Sequence, residues 1–408
     1  MKRGCRIAIV VISVAVTVGC YCVAIGQQRG DVSSDMRLPG ARAVIDAGRY
    51  PSIQAAIDAL PDEGGMVSLP PGTFEISEPL KVGKSDVLIE GAGTATHIKN
   101  VNTEGKSALI LQHPSSGDNR KAELWRIRLA DFRITGNEKS GHGIDARRIN
   151  EVFIDGVTVS NHGGDGIRLY FCYEDPRICN SLLTYNKKTG LNAIGCHDVV
   201  VSANQFEENN DALRFINGFN LCMTGNCLDD HLGNGVVIEN TYGSVVSGNM
   251  IEECKGIAIV LDRDCYGIAL SANVIAHDAG GGIALRDAHG CAISANAFTI
   301  MGSDAVNIGP KSGRITVTGN NFSNSYIGDD KTKRSANDLT AAGMVLDGTS
   351  GITVVGNLFS GVRPKALTVK GKPSTQILFT DNVLIDVDSD HKKLDASLVQ
   401  GNLDDRQE

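Results

Sequence analysis

A short phrase returns along most of this chain, and its period limits the fold more than any other feature. A small residue precedes two apolar residues spaced by one. After a turn, a second alternation closes on a small residue and Asn. The first half reads GIRL at Gly166, ALRF at Ala212, GVVI at Gly235, GIAI at Gly256, GIAL at Gly282, AVNI at Ala305 and GMVL at Gly343. The second half ends at Asn204, Asn226, Asn249, Asn273, Asn296, Asn320, Asn357 and Asn382, which lie 22 to 25 residues apart except for one interval of 37. A repeat of that length is one turn of a stacked solenoid, and alternation of period two makes its rungs strands. The Asn column suits a tight turn between strands. Asn tolerates left-handed backbone, and its amide can donate and accept from coil to coil.

Composition agrees with that architecture. Gly is abundant at 47 residues and aromatics are only 5%, as expected for many turns around a stacked aliphatic core. A net charge of −8 with no basic stripe argues against nucleic acid as a partner. The first 26 residues read as a separate object. Lys2, Arg3 and Arg6 precede the apolar run Ile7 to Val18, and Ala24-Ile25-Gly26 offers a cleavage site, so a signal peptide is expected. An uncleaved anchor is the alternative, and membrane contact would then be confined to this segment. Thr17-Val18-Gly19-Cys20 offers a third, lipobox-like, processing route. Each route exports the body to the periplasm, the cell surface or the medium. Export leaves eight of 11 cysteines in an oxidising compartment. Cys172 and Cys196 fall at the same place on neighbouring turns and could pair. The others sit at scattered offsets, most read as buried thiols, and no pair has zinc-ligand spacing.

The expected organisation is a leader over 1–26, a linker over 27–43, the solenoid over 44–388 and a polar tail over 389–408. Near the start, Ile53, Ala56, Ile57 and Leu60 form a helical stripe with Ser52 as N-cap and Pro61 as terminator. A helix there would cover the open end of the first rung. The long interval after Asn320 places an insertion at Ser323 to Ala342, rich in charge and read as a solvated loop. SIQAAIDALPDEGGMVSLPPGTFEISEPLKV followed by VLIEGAG resembles the entry segment of the pectate-lyase superfamily of right-handed parallel β-helices. That superfamily includes rhamnogalacturonase-like and epimerase-like proteins and phage tailspikes. The resemblance implies an all-β, right-handed parallel β-helix of ten or more coils acting on a polysaccharide. It also implies that the Asn ladder lies between the second and third sheets, and that the G-I-x-L strands form the first sheet, whose outer face carries most active sites in the family.

Strand alternation then names the outward side chains of that sheet. They crowd the early coils: His142, Asp145, Asp165, Arg168, Tyr170, Asn192, Asp211, Arg214 and Glu239. The later rungs, read at Ala258 and Ala284, are nearly bare and look like scaffold. Two chemistries fit the patch. In a polyuronide lyase or epimerase, Arg168 or Arg214 would neutralise the sugar carboxylate, and His142 or Tyr170 would serve as base or acid. Some lyases of the family use Arg itself as base, which would give Arg168 or Arg214 that role. Asp145, Asp165 and Asp211 are candidate Ca²⁺ ligands, and Asp145, Asn192 and Glu239 candidate substrate contacts. An inverting glycosidase would instead use Asp165 and Asp211, two coils apart. Gly141-His142-Gly143 matches a polygalacturonase tripeptide but lies upstream of both aspartates, and the other motifs of that family and of alginate epimerases are missing. A non-catalytic glycan-binding module is the third reading. Against all three stands ordinary turn chemistry for each Asp before a small residue, and surface ion pairing for the arginines.

Overall fold

The computed structural model describes residues 38–117, 119, 121–323 and 341–405. The leader and most of the Ser323–Ala342 insertion lie outside the described residues. From Arg42 onward the chain winds through about 14 turns of an all-parallel solenoid. Each full coil contributes a strand to three sheets, here called sheets 1, 2 and 3 in the order the chain visits them. They contain 12, 18 and 14 strands. One coil shows the plan, with Thr189–Ile194 in sheet 1, Val200–Ser202 in sheet 2 and Gln205–Glu207 in sheet 3. Its inward residues Leu191, Ala193, Val201 and Phe206 are all buried. The fold is thus the right-handed parallel β-helix that the repeat and the entry segment imply.

The corner between sheets 2 and 3 is built by the Asn column. Asn273 Nδ2 donates to Val246 O and Asn296 Oδ1, both at 3.0 Å. Its Oδ1 accepts from the backbone N and Nδ2 of Asn249, again at 3.0 Å. The same pattern runs from Asn204 to Asn382, so each amide satisfies the backbone of the coil before it. Buried polar groups must be paired, and this column pairs them at every turn.

The helix expected near the start spans Ile53–Asp58 (α1), with Ser52 Oγ accepting from Ala55 N at 3.1 Å. Ile53, Ala56, Ile57 and Leu60 are buried. Gln54 pairs with the first strand of sheet 1 through its side chain, accepting from Lys81 N at 2.8 Å and donating to Lys81 O at 3.2 Å. An amide side chain thus takes the place a preceding strand would occupy.

Three expectations need correction. The rung read at Gly256 is displaced by two residues. Val237 pairs with Val260 and Glu239 with Asp262, so Val260 rather than Ala258 occupies the middle outward column. Residues 389–408 are not only a tail. Strands Leu394–Asp395, Leu398–Gln400 and Leu403–Asp404 add a further partial turn, and Asn402 Oδ1 accepts from Asn382 N at 3.0 Å to extend the ladder. All eight described cysteines are free thiols, Cys172 and Cys196 among them, although these two are buried on adjacent coils.

Candidate functional site

The register of sheet 1 confirms that the predicted residues share one face. Asp145, Arg168, Asn192, Arg214 and Val237 stack in one column, and Arg147, Tyr170, Ile194, Ile216 and Glu239 in the next. Adjacent coils are spaced by about 4.8 Å, so neighbours in a column are within side-chain reach. What the register could not show is how strongly these groups bind each other.

Asp145 is almost fully buried at 1% side-chain exposure. Its two oxygens accept from Nε and Nη2 of Arg168, both at 2.9 Å, and from Nη2 of Arg147 at 2.7 Å. Arg214 bridges Asp211 Oδ2 at 3.1 Å and Glu239 Oε1 at 2.6 Å. Arg263, from the next coil, closes on the other oxygen of Glu239 at 2.5 Å. Asp211 Oδ1 also caps Asn234 N at 2.7 Å. These carboxylates are therefore offset by guanidinium groups, and charge-assisted pairs of this kind fix side-chain positions.

Asp165 differs because its partners include no arginine. Oδ1 accepts from Thr189 N at 3.1 Å and Oδ2 from Asn192 Nδ2 at 3.1 Å. Asp165 N donates to His142 Nδ1 at 3.0 Å, and Nδ1 also lies 3.2 Å from Oδ2. Burial alone would raise the Asp165 pKa, but hydrogen bonds from His142, Asn192 and Thr189 outweigh it and hold the carboxyl below its usual value. The result is an imidazole oriented by an ionised carboxylate. One coil away, Tyr170 is 37% exposed. Among the described residues nothing hydrogen-bonds to Nη1 of Arg168.

Asp145, Asp165 and Asp211 lie on different coils and do not converge. Among the described residues, the ligand groups whose atoms all lie within 4.8 Å are Glu252–Glu253–His277 and Asp229–Asp230–Glu253. On the next sheet Tyr173, His197, Phe219, Tyr242 and Tyr266 form a column with ring centroids 4.4, 3.5, 5.0 and 5.1 Å apart, tilted up to Phe219 and stacked beyond it.

The later rungs hold more than scaffold. Two cavities of about 230 and 320 Å³ lie along them and share Asp304. Arg286 and Asn307 line the first, while Lys365 and Thr368 line the second. Lys370 Nζ reaches Asp304 at 3.4 Å. Sequence reading passed over these positions because the charged groups are one or two per rung rather than a cluster.

Comparison with known proteins adds breadth rather than identity. The sequence model of a family described as "Periplasmic copper-binding protein (NosD)" matches residues 187–375. No curated protein sequence matches. Among solved structures, the pre-mature gene product 12 of bacteriophage phi29 aligns with TM-score 0.67 at 12% identity, covering 83% of this chain and 52% of that one. The chain thus spans about half the length of that relative. The periplasmic alginate epimerase AlgG aligns with TM-score 0.50 at 12% identity, covering 88% and 84%. The Dettilon tailspike protein aligns with TM-score 0.51 at 14% identity, covering 80% and 66%. At these identities the likeness is one of fold.

Proposed function

We propose that this is an exported polysaccharide-acting β-helix protein that abstracts the proton beside a uronate carboxyl, as a lyase or an epimerase does. The observation that carries the reading is the His142–Asp165 pair on the outer face of sheet 1, with Arg168 and Tyr170 on the same coil as Asp165. Because Asp165 N–H donates to Nδ1 of His142, the neutral imidazole carries its proton on Nε2, which makes His142 the acid. Arg168 would offer Nη1 to the sugar carboxylate and so stabilise the carbanion-like transition state. Tyr170 would then take the sugar proton as the base. Arg214, tied to both Asp211 and Glu239, is assigned to positioning the chain. The structural likeness to an alginate epimerase and a tailspike, together with the leader segment, supports the choice of substrate class and compartment.

The glycosidase alternative asks for a carboxylic acid with a raised pKa. Asp165 is shifted the other way. The copper in the matched family's description is said of that family, whose model matches residues 187–375 of this chain, and is not carried over. The test is incubation with polyuronides in deuterium oxide, read by deuterium uptake into product, by ultraviolet absorbance of unsaturated ends and by reducing ends, with and without chelator. Uptake that disappears in His142→Gln and falls sharply in Arg168→Ala supports the proposal. Uptake retained in both variants, or new reducing ends without uptake, refutes it. A chelator that abolishes uptake would restore the calcium expectation.

A further inference from the structure

At the corner where sheet 3 ends, three successive coils read Asp229-Asp230-His231, Glu252-Glu253-Cys254 and Ala276-His277-Asp278. The backbone register aligns them, with Asp229 opposite Glu252 and Glu252 opposite Ala276. Eight of the nine side chains can ligate a metal. Five of them, Asp229, Asp230, Glu252, Glu253 and His277, form the two convergent groups noted above. His277 Nδ1 lies 3.0 Å from Glu252 Oε1 and 3.6 Å from Glu253 Oε1.

The charge balance here is unlike that of sheet 1. Among the described residues no lysine or arginine comes within 4.0 Å of these four carboxylates, and His277 is their one basic neighbour. Asp229 and Glu253 are both pushed above their usual pKa, first by burial and then by the other carboxylates. Directly behind the cluster, on the same coils, His231 and Asp278 are fully buried. His231 Nε2 and Asp278 Oδ2 have no hydrogen-bond partner. Glu252 and Glu253 lie close enough to Asp278 to add to the upward shift that burial gives it. Crowded carboxylates of this kind are relieved by a bound cation.

We propose that Glu252, Glu253 and His277, flanked by Asp229 and Asp230, form a binding site for a first-row divalent cation. The imidazole decides the class of ion. Nitrogen with two carboxylates suits Zn²⁺ and its neighbours, whereas Ca²⁺ takes oxygen ligands. None of these residues belongs to the sheet 1 columns, so the site stands or falls independently of the polysaccharide reading.

The experiment is calorimetric titration of the chelator-treated, dialysed full chain with Zn²⁺, repeated with Ca²⁺ present. Losing a ligand should cost at least what losing an outer-shell partner does, roughly 10–100-fold in affinity. The expected result is Zn²⁺ binding that weakens by that much in His277→Ala and in Glu253→Gln and persists against Ca²⁺. Glu253 is an exposed residue, so its variant decides the matter even if His277→Ala fails to fold. Absence of Zn²⁺ binding, binding unchanged in Glu253→Gln, displacement by Ca²⁺, or loss of binding in Cys222→Ser, which removes an exposed thiol outside the cluster, would each overturn the assignment.

Discussion

Replacing Asn273 by Ala tests whether the Asn ladder holds the coils together or merely decorates a turn. Asn273 is buried, and its amide makes four hydrogen bonds at 3.0 Å. The substitution leaves the backbone N–H of Asn249 without its partner inside the solenoid. Val246 O, Asn249 Nδ2 and Asn296 Oδ1 each lose one bond and keep others. An orphaned buried donor costs about 1–3 kcal/mol, and each of the three weakened partners adds roughly 0.5–1.5 kcal/mol, so the expected loss is about 2.5–7.5 kcal/mol. Asn402, at the open end of the ladder, is only half-buried, and water can replace its side chain. Asn402→Ala should therefore cost much less. Urea unfolding followed by circular dichroism compares the two midpoints. Hydrogen exchange should show the loss of protection centred on Asn249, because a solenoid transmits damage mainly to neighbouring repeats. Equal midpoints for the two variants would refute the reasoning.

A second prediction concerns the Phe column inside sheet 3. Phe322 is fully buried between Phe298 and Phe359, with centroids at 4.7 and 4.6 Å, and Phe322→Ala should cost about 3–5 kcal/mol by the same urea assay. A third concerns pH. Burial lowers His162 and His231 to about 4 and raises Asp278 to about 8. Between pH 4 and 6.5 the unfolded chain binds the two histidine protons and the native state the one aspartate proton, so stability should rise with pH. From 6.5 to 8 only Asp278 still differs, and stability should fall. Each histidine contributes at most about 3 kcal/mol across its window. The urea midpoint measured across this range should therefore peak near neutrality. A His162→Gln, His231→Asn double variant that keeps the acid-side slope would sink the assignment.

The fold was legible because two periods agree. Alternation gave the strands, and the Asn spacing gave the coil. Where the phrase is degenerate, sequence could not choose. GIAI at Gly256 and the overlapping AIVL at Ala258 both fit, and only inter-coil pairing selects the second. The last turn was missed for a different reason. Val399-Gln400-Gly401-Asn402 repeats the Asn phrase, but no sheet 1 strand precedes it. The columns on sheet 1 were also legible, since they follow from parity alone. The pairing within them was not, because Arg214 chooses among neighbours on its own strand and the next coil through its rotamer.

The sheet 3 corner escaped sequence reading because its outward residues follow the strands instead of lying within them. Asp230, Glu253 and His277 have φ of 55°, 56° and 59°, and this left-handed step breaks the alternation on which outward columns are counted. The contrast with sheet 1 then becomes informative. Both regions stack carboxylates at the coil spacing, where like charges repel unless they are offset. On sheet 1 the sequence supplies Arg147, Arg168, Arg214 and Arg263 as fixed counterions. At the corner one imidazole faces four carboxylates. If the chain's own residues were meant to balance that charge, a lysine or arginine on the Cys254 or Asp278 coil would suffice, and none is in reach among the described residues. The balance therefore comes from solution, by proton uptake or by the cation proposed above, and the Zn²⁺ titration separates the two.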